Sequence, residues 1–455
     1  MGDYAGMAER IVNRAVKRGA DDVVAGVNVN RSYQVRFAQN EPVISNRWRE
    51  TGAFAGVVVQ KRVVGTKIKD LSRVDETVDD LVATARKSQE NPQYGGIAQG
   101  PFTYQQSPPD PKLLDLTDGG DLVYAAVNAA LEEGAKETAG SFCKYDEETF
   151  LHTSNDAVGQ ERAGSLRLTI RAMVGPESSG HDVACATKAS ALHPEEAGRN
   201  AGKVAALAKA PKQGQPGTYD IVFEPLLVGG LVNEIGGRAS AFAVLAGLSP
   251  FKDKLGEKVA TEGVTIVDDG SADSLGARAF DGEGVPTRPN TVIDKGTLQT
   301  YLHNTSTAKL FETKTTGNAR FIFPEMYTTD NAPPGFISPE PHALFIEPGD
   351  WTRDEMLAEV KDGLWLTNSW YTRYQSYMTG DFSTIPRDGI FRIQDGEVTE
   401  VWKDVRLTDN LLHLWSQVDG LGKEVQQVKW WYEVPTPSVV PHMLARDIGI
   451  TRSAE

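Results

Sequence analysis

A chain of 455 residues, 40% hydrophobic and 24% charged, has the make-up of a folded globular protein with room for two or three domains, which sets aside the disordered, collagen-like and membrane-embedded classes. Its formal charge of -15 opposes polyanions, whose non-specific binding draws on Lys and Arg neutralising phosphates, so nucleic acid is not expected as a ligand. Two cysteines, Cys143 and Cys185, are too few for a disulfide framework or a thiolate zinc site, and both are expected reduced and buried.

The N-terminus carries Asp3 where a signal peptide would be basic, and no apolar run approaches the ~20 residues a membrane helix needs. A cytoplasmic chain is the expectation. Residues 3–19 set Tyr4, Met7, Ile11, Ala15 and Val16 on one helical stripe that ends at Gly19. From Asp22 the period becomes two: Tyr33, Val35 and Phe37 alternate with polar residues, Asn40-Glu41-Pro42 offers a turn, and Val57–Val59 and Val63-Val64 continue an antiparallel meander. Asp75 and Glu76 suit the start of a second helix over 75–88, and Arg86 and Lys87 suit its end.

Pro92, Gly95-Gly96, Pro101, Pro108-Pro109 and Pro111 make the next stretch a connector. Beyond it the pattern predicts a helix near 120–133, strands within 140–190 and a helix opened by Pro194-Glu195-Glu196. Residues 210–217 break the pattern again, and the rest reads as short β runs with one small-residue helix near 226–246. The predicted division is an α/β lobe over 1–92, a linker over 93–112, a middle α/β lobe over 113–215 and a β-rich domain over 216–455.

The seven histidines are dispersed, with no pair at the i, i+4 spacing of a helical zinc site, and no nucleophile elbow, Walker loop or dinucleotide fingerprint occurs. Three acidic segments remain: Asp268-Asp269, Asp281-Gly282-Glu283-Gly284 and Thr379-Gly380-Asp381. Their carboxylates suit a hard cation or acid–base work, and equally a set of Asp-Gly turns. Residues 365–377 gather Trp370, Tyr371, Tyr374 and Tyr377 beside Arg373, a composition fit either for holding a peptide or partner or for packing a β-rich core.

The order of these segments resembles the TldD/PmbA family over nearly the whole chain. The series runs Phe251-Lys252-Asp253-Lys254-Leu255-Gly256, Val267-Asp268-Asp269-Gly270, Phe280-Asp281-Gly282-Glu283-Gly284, Lys295-Gly296-Thr297-Leu298, Thr316-Gly317-Asn318-Ala319, Thr379-Gly380-Asp381-Phe382-Ser383, Gln394-Asp395-Gly396-Glu397, Asp409-Asn410-Leu411-Leu412 and Pro435-Thr436-Pro437-Ser438. In that family the TldD type carries H-E-x-x-x-H on the helix opening the C-terminal domain, with a late cysteine as a further ligand, and the TldE/PmbA type lacks both. The equivalent helix here reads Leu231-Val232-Asn233-Glu234-Ile235-Gly236-Gly237-Arg238, and Gly420–Val425, in the region of the late cysteine, contains none. Asn233 and Arg238 thus replace the two histidines and leave only Glu234. An amide is a poor zinc ligand and a guanidinium repels the ion.

What the resemblance implies is an α+β fold, with N-terminal helices on an antiparallel sheet and a β-rich, barrel-like C-terminal domain. It further implies a TldE/PmbA-type subunit with no catalytic residue and no metal of its own, paired with a zinc-bearing TldD-type chain or with itself, in a complex that hydrolyses unfolded peptides. Trp370, Tyr371, Arg373, Tyr374, Tyr377 and Asp381 are the expected peptide- or partner-binding residues. Two rivals stand beside this reading: an independent hydrolase built on Asp269, Glu283 and Asp381, and a peptide-binding or assembly protein with no enzymatic link. The family's association with DNA gyrase modulation sits poorly with the acidic balance.

Overall fold

The structure, a computed structural model, describes residues 3–105, 107–321 and 337–452. Helix α1 (Tyr4–Lys17) is capped by the Asp3 carboxylate, which accepts from the Gly6 amide, and buries Ala8, Ile11, Val12 and Ala15. Val16, expected on that stripe, is exposed, because one more residue round the helix turns it away from the sheet. Strands β1 (Asp22–Ala38), β2 (Glu41–Val59) and β3 (Arg62–Ile68) form the meander, and α2 (Val74–Ala85) follows. A short α3 (Pro111–Asp115) interrupts the connector, with the Asp110 carboxylate as its cap and Pro111 in its first turn. Then come α4 (Gly120–Glu132), strands β4 (Glu137–Thr153), β5 (Val158–Gly175) and β6 (Ser178–Ala186), and α5 (Pro194–Leu207).

All six strands join one antiparallel sheet in the order β3-β2-β1-β4-β5-β6, so β1 pairs with β4 across the connector, with Val35 opposite Phe142. The two ends of the sheet carry separate cores on the same face. Helices α1 and α2 cover Val23, Val27, Ala55 and Val57, whereas α4 and α5 cover Phe142, Leu166, Leu168 and Ile170. The other face looks toward the C-terminal half. There Arg171 and Ser179 both bond Asp388, and His181 packs on Trp430 at 4.4 Å between ring centres. Cys143 is buried, but Cys185 on that second face is only partly so, against the expectation that both are interior.

The C-terminal half comprises β7 (Lys212–Gln213), β8 (Gly217–Phe223), α6 (Pro225–Arg238), α7 (Ala241–Leu245), β9 (Ile266–Asp269), β10 (Pro289–Asp294), β11 (Thr297–Leu298), α8 (Thr305–Leu310), β12 (Ala319–Phe321), β13 (Ile337–Pro339) and β14 (Leu344–Ile346). It continues through α9 (Arg353–Glu359), β15 (Asp362–Ser376), β16 (Asp381–Gln394), β17 (Glu397–Lys403), β18 (Val405–Asn410), α10 (Leu411–Ser416), β19 (Val418–Trp430) and β20 (Val434–Arg452). β20 pairs with β8, β8 with β15, β15 with β16, β16 with β18, and β18 with β20 again. That circuit closes a barrel, which removes sheet edges and encloses Phe223, Leu364, Leu366, Phe382, Leu407 and Ile448 in one core. No helix among the described residues is long and apolar enough to cross a membrane.

Candidate functional site

Helix α6 opens with Pro225 in its first turn and buries Leu226, Leu227, Val228, Leu231, Val232 and Ile235 against the barrel. Two of its glycines let the backbone come close: a Cβ on Gly229 would lie 2.5 Å from Val428 Cγ2, and one on Gly236 2.7 Å from Leu344 Cδ1. Glycine is unfavourable inside a helix by ~1 kcal/mol, so these positions trade local propensity for close packing. The result fixes Asn233, Glu234 and Arg238 on the last turns. The predicted helix over 226–246 is in fact two, since Ser240 interrupts it with extended backbone before α7 and donates its hydroxyl to Pro339 O.

Asn233 is fully used. Its Nδ2 donates to Gly229 O at 2.8 Å, Thr436 O at 3.1 Å and Ser438 Oγ at 2.9 Å, and its Oδ1 accepts from Thr436 N at 2.8 Å. The amide thereby pins α6 to the start of β20. Arg238 donates to Leu248 O at 2.9 Å and lays its guanidinium 5.3 Å from the Tyr374 ring centre and 4.8 Å from that of Tyr377. The two tyrosines stack on each other at 4.7 Å. Burial pushes the Glu234 carboxyl above the usual carboxylate range, with the Arg238 charge and the Tyr374 hydroxyl opposing. Burial likewise raises the Tyr374 phenol, and the Glu234 charge adds to it.

A zinc ion does not fit this set. Asn233 has no free donor, Arg238 brings a permanent positive charge, and Glu234 alone is one ligand where three or four are needed. Among the described residues no group of three or more His, Cys, Asp or Glu is placed to hold a metal. The region expected to carry a late cysteine forms part of β19, where Gly422 lies against His442, and that imidazole is bonded to Glu224 at 2.9 Å.

The aromatic run divides. Tyr374 and Tyr377 join Arg238 and Glu234, while Trp370 turns to the N-terminal sheet, where Arg171 stands 4.9 Å from its ring centre and Trp430 packs at 5.4 Å. Tyr371 marks a bulge with φ 59°, its amide donates to the Glu433 carboxylate, and its ring carries Arg373 at 5.6 Å. Tyr371 and Tyr377 are exposed, whereas Trp370 and Tyr374 pack partly on the barrel core. Asp381 stands apart from this group. It accepts from Thr379 Oγ1 at 2.6 Å and Asn410 Nδ2 at 2.9 Å, bonds that hold its carboxyl below the usual range and tie the hairpin end to the cap of α10.

Nor are the acidic segments assembled into one site. Asp269 caps its own turn through Ser271, Asp268 accepts from Asn318 and the His342 and Ala343 amides, and Glu283 receives the Thr305 hydroxyl. Asp281 accepts from the Glu283, Val285 and Ala319 amides, which folds residues 281–285 into a closed turn. Gly284 in that turn has φ 83°, and a Cβ there would sit 2.8 Å from Ala157 Cβ. Gly284→Ala is therefore expected to lower stability by about 1–3 kcal/mol. Thermal melting reads it, and an unchanged melting temperature would show that the turn does not constrain the junction between the halves.

The PmbA/TldA metallopeptidase C-terminal domain matches residues 216–452, more than half of the chain. The chain belongs to the TldD/PmbA family. It is 29% identical to a metalloprotease of Methanothermobacter thermautotrophicus over 71% of this chain and 70% of that protein. With a metalloprotease of Methanocaldococcus jannaschii it shares 35% identity over 46% of this chain, a match spanning only 44% of the relative. The crystal structure of TldE from Thermococcus kodakarensis superposes with a TM-score of 0.83 at 19% identity, covering 98% of this chain and all of that one, a shared fold from end to end.

Within this TldD/PmbA-family chain, sequence reasoning missed Glu433, Thr436 and Ser438 as the neighbours of α6. Pro435-Thr436-Pro437-Ser438 was visible as a segment. Its pairing with Asn233, 203 residues away along the chain, was not.

Proposed function

We propose that this chain is the zinc-less, TldE-type subunit of a TldD/TldE peptidase complex in the cytoplasm, and that it holds unfolded peptide beside the zinc of a TldD-type partner. The observation that carries the reading is Asn233, whose amide is spent on Gly229, Thr436 and Ser438 where a metallopeptidase would offer zinc a free imidazole. Arg238 supports it by placing a fixed cation on the next turn. The reaction is then hydrolysis by a water that the partner's zinc activates, and this chain contributes shape and binding groups. Tyr371, Arg373 and Tyr377 are the members of the aromatic group left open to peptide or partner, with Trp370 and Tyr374 as their packed base.

An independent carboxylate hydrolase finds no support in the separate networks of Asp269, Glu283 and Asp381. The test uses the full chain purified without chelator. Elemental analysis is expected to find far less than one zinc per chain, the chain alone should not cleave an unfolded peptide, and adding a TldD-type chain from the same source should raise cleavage that chelator abolishes. One tightly held zinc per chain, or turnover by the chain alone in chelator, would sink the reading.

A further inference from the structure

Strand β2 has two neighbours along part of its length and one along the rest. It lies against β1 from Val58 opposite Asp22 to Glu41 opposite Ala38, but β3 accompanies it only from Val59 opposite Arg62 to Ala53 opposite Ile68, so residues 41–52 form an open edge of the six-stranded sheet. Gln60 and Lys61, both at positive φ (51° and 62°), make a two-residue turn that leaves Val59 and Arg62 as a hydrogen-bonded pair. Alternation from Val59 then points the amides and carbonyls of Ser45, Arg47 and Arg49 to the open side, and the bond from Asp21 N to Val58 O on the β1 side agrees with that phase. Open edges are usually blunted by charge or shortness. This one is long and displays Val43, Ile44 and Trp48, which are 58%, 44% and 42% exposed.

Ile44 also ends a row across the sheet. Ile44, Arg36, Ser141 and Thr169 stand opposite one another on β2, β1, β4 and β5, and all four line a cavity of about 400 Å³. Arg36 is exposed and forms no ion pair among the described residues. Trp48 shares the Ile44 face of β2 by the period of two. On the β1–β2 hairpin itself the exposed charges are Arg36, Arg47 and Arg49 against Glu41 and Glu50, so this edge lacks the acidic excess of a chain of net charge -15. We propose that the edge joins two copies of this chain, β2 to β2, antiparallel about a twofold axis through Asn46. In such a pair each contact occurs twice. With Asn46 opposite its own copy, Ser45 and Arg47 exchange their outward backbone bonds with Arg47 and Ser45 of the other copy, and each Ile44 meets the other copy's Trp48, whose indole then reaches along the row to the Arg36 guanidinium and the cavity. Centring the axis on Arg47 would oppose two guanidinium groups, and centring it on Ser45 would oppose Ile44 to Asn46. The pairing uses none of the groups proposed to hold peptide and stands independently of that reading.

Sedimentation equilibrium of the full-length chain alone is expected to show monomers in equilibrium with dimers. Trp48→Lys puts a charge where the indole docks, and Ser45→Pro removes an outward amide without touching a bond to β1; each should weaken dimerisation about tenfold or more. Melting at a dilution where the natural chain is monomeric should be unchanged in both, which separates loss of the edge from loss of the fold. Asn46→Cys tests the register. A residue opposite its own copy in a pair of this kind lies about 4.5 Å from it between Cα atoms, within the span of a disulfide, so mild oxidation should link two chains far more readily than in the natural chain, where Cys143 is buried. A chain that is monomeric at about 0.1 mM, or a dimer that keeps its affinity in both variants and gives no disulfide through Asn46→Cys, overturns the proposal. So does an edge taken only by a TldD-type chain, seen as an association with that chain that both variants lose while this chain alone stays monomeric. Zinc content and peptide turnover are read separately, so the peptidase reading stands or falls without the edge.

Discussion

Asn233→Ala is expected to lower the stability of this chain by about 3 kcal/mol, read as a loss of several degrees in melting temperature with no loss of secondary structure at room temperature. The side chain occupies the joint between α6 and β20, and its removal leaves the Thr436 amide without an acceptor inside the barrel wall and takes one of two partners from the Ser438 hydroxyl. A buried polar group left unsatisfied costs about 1–3 kcal/mol, which exceeds what a new favourable Ala contact in the helix returns. Asn233→His is the sharper comparison, because it places an imidazole where the proposed function expects one in a zinc-bearing partner. An imidazole cannot both donate to Ser438 Oγ and accept from the Thr436 amide in the geometry of an asparagine, so this variant is expected to be destabilised as well and to gain no stoichiometric zinc. A stable, zinc-loaded Asn233→His chain would show that only one ligand is missing, and that the rest of the site is intact.

Removing the positive charge of Arg238 should make stability depend on pH. Arg238→Ala is expected to cost about 2 kcal/mol near pH 7 and less near pH 4. Folding already raises the Glu234 carboxyl above its unfolded value, so its protonated form favours the folded state. That contribution is fully present below the unfolded value and is lost as pH rises through the folded one. Without the arginine the folded value climbs further and the loss extends through neutral pH. Melting measured at pH 4 and pH 7.5 checks the sign, and Arg238→Ala combined with Glu234→Gln should recover most of the difference, since no charge remains to be buried. The guanidinium also covers Tyr374 and Tyr377, so a part of the cost that Glu234→Gln does not restore measures that packing. If the single variant melts alike at both pH values, Glu234 is not ionised in the fold and the Arg238 charge does not act on it.

Much of the architecture was legible in local pattern. The stripe of α1, the alternation in β1 around Val35, Pro194 at the head of α5 and Pro225 at the head of α6 are instructions that act within a few residues, through burial period and backbone restriction. Small departures arose where a neighbour outside the window decides. Val16 faces solvent because α1 meets the sheet on a narrower strip, and Cys185 remains half-buried because β6 is the last strand of its sheet, facing Lys429 across the gap between the halves.

The sequence by itself determined the main helices and strands of the N-terminal half, the acidic balance, the dispersal of the histidines, and the presence of Asn233 and Arg238 on α6, because residue identity alone says which side chains can bind a metal. Only the tertiary structure decided what those residues do instead. Asn233 finds Thr436 and Ser438, Arg238 finds two stacked tyrosines, and Asp381 leaves the aromatic group for Asn410. These meetings join segments that lie apart along the chain, by 203 residues for Asn233 and Thr436 and by 29 for Asp381 and Asn410. Periodicity reports which face of an element is buried, and it carries no information about which distant face will cover it.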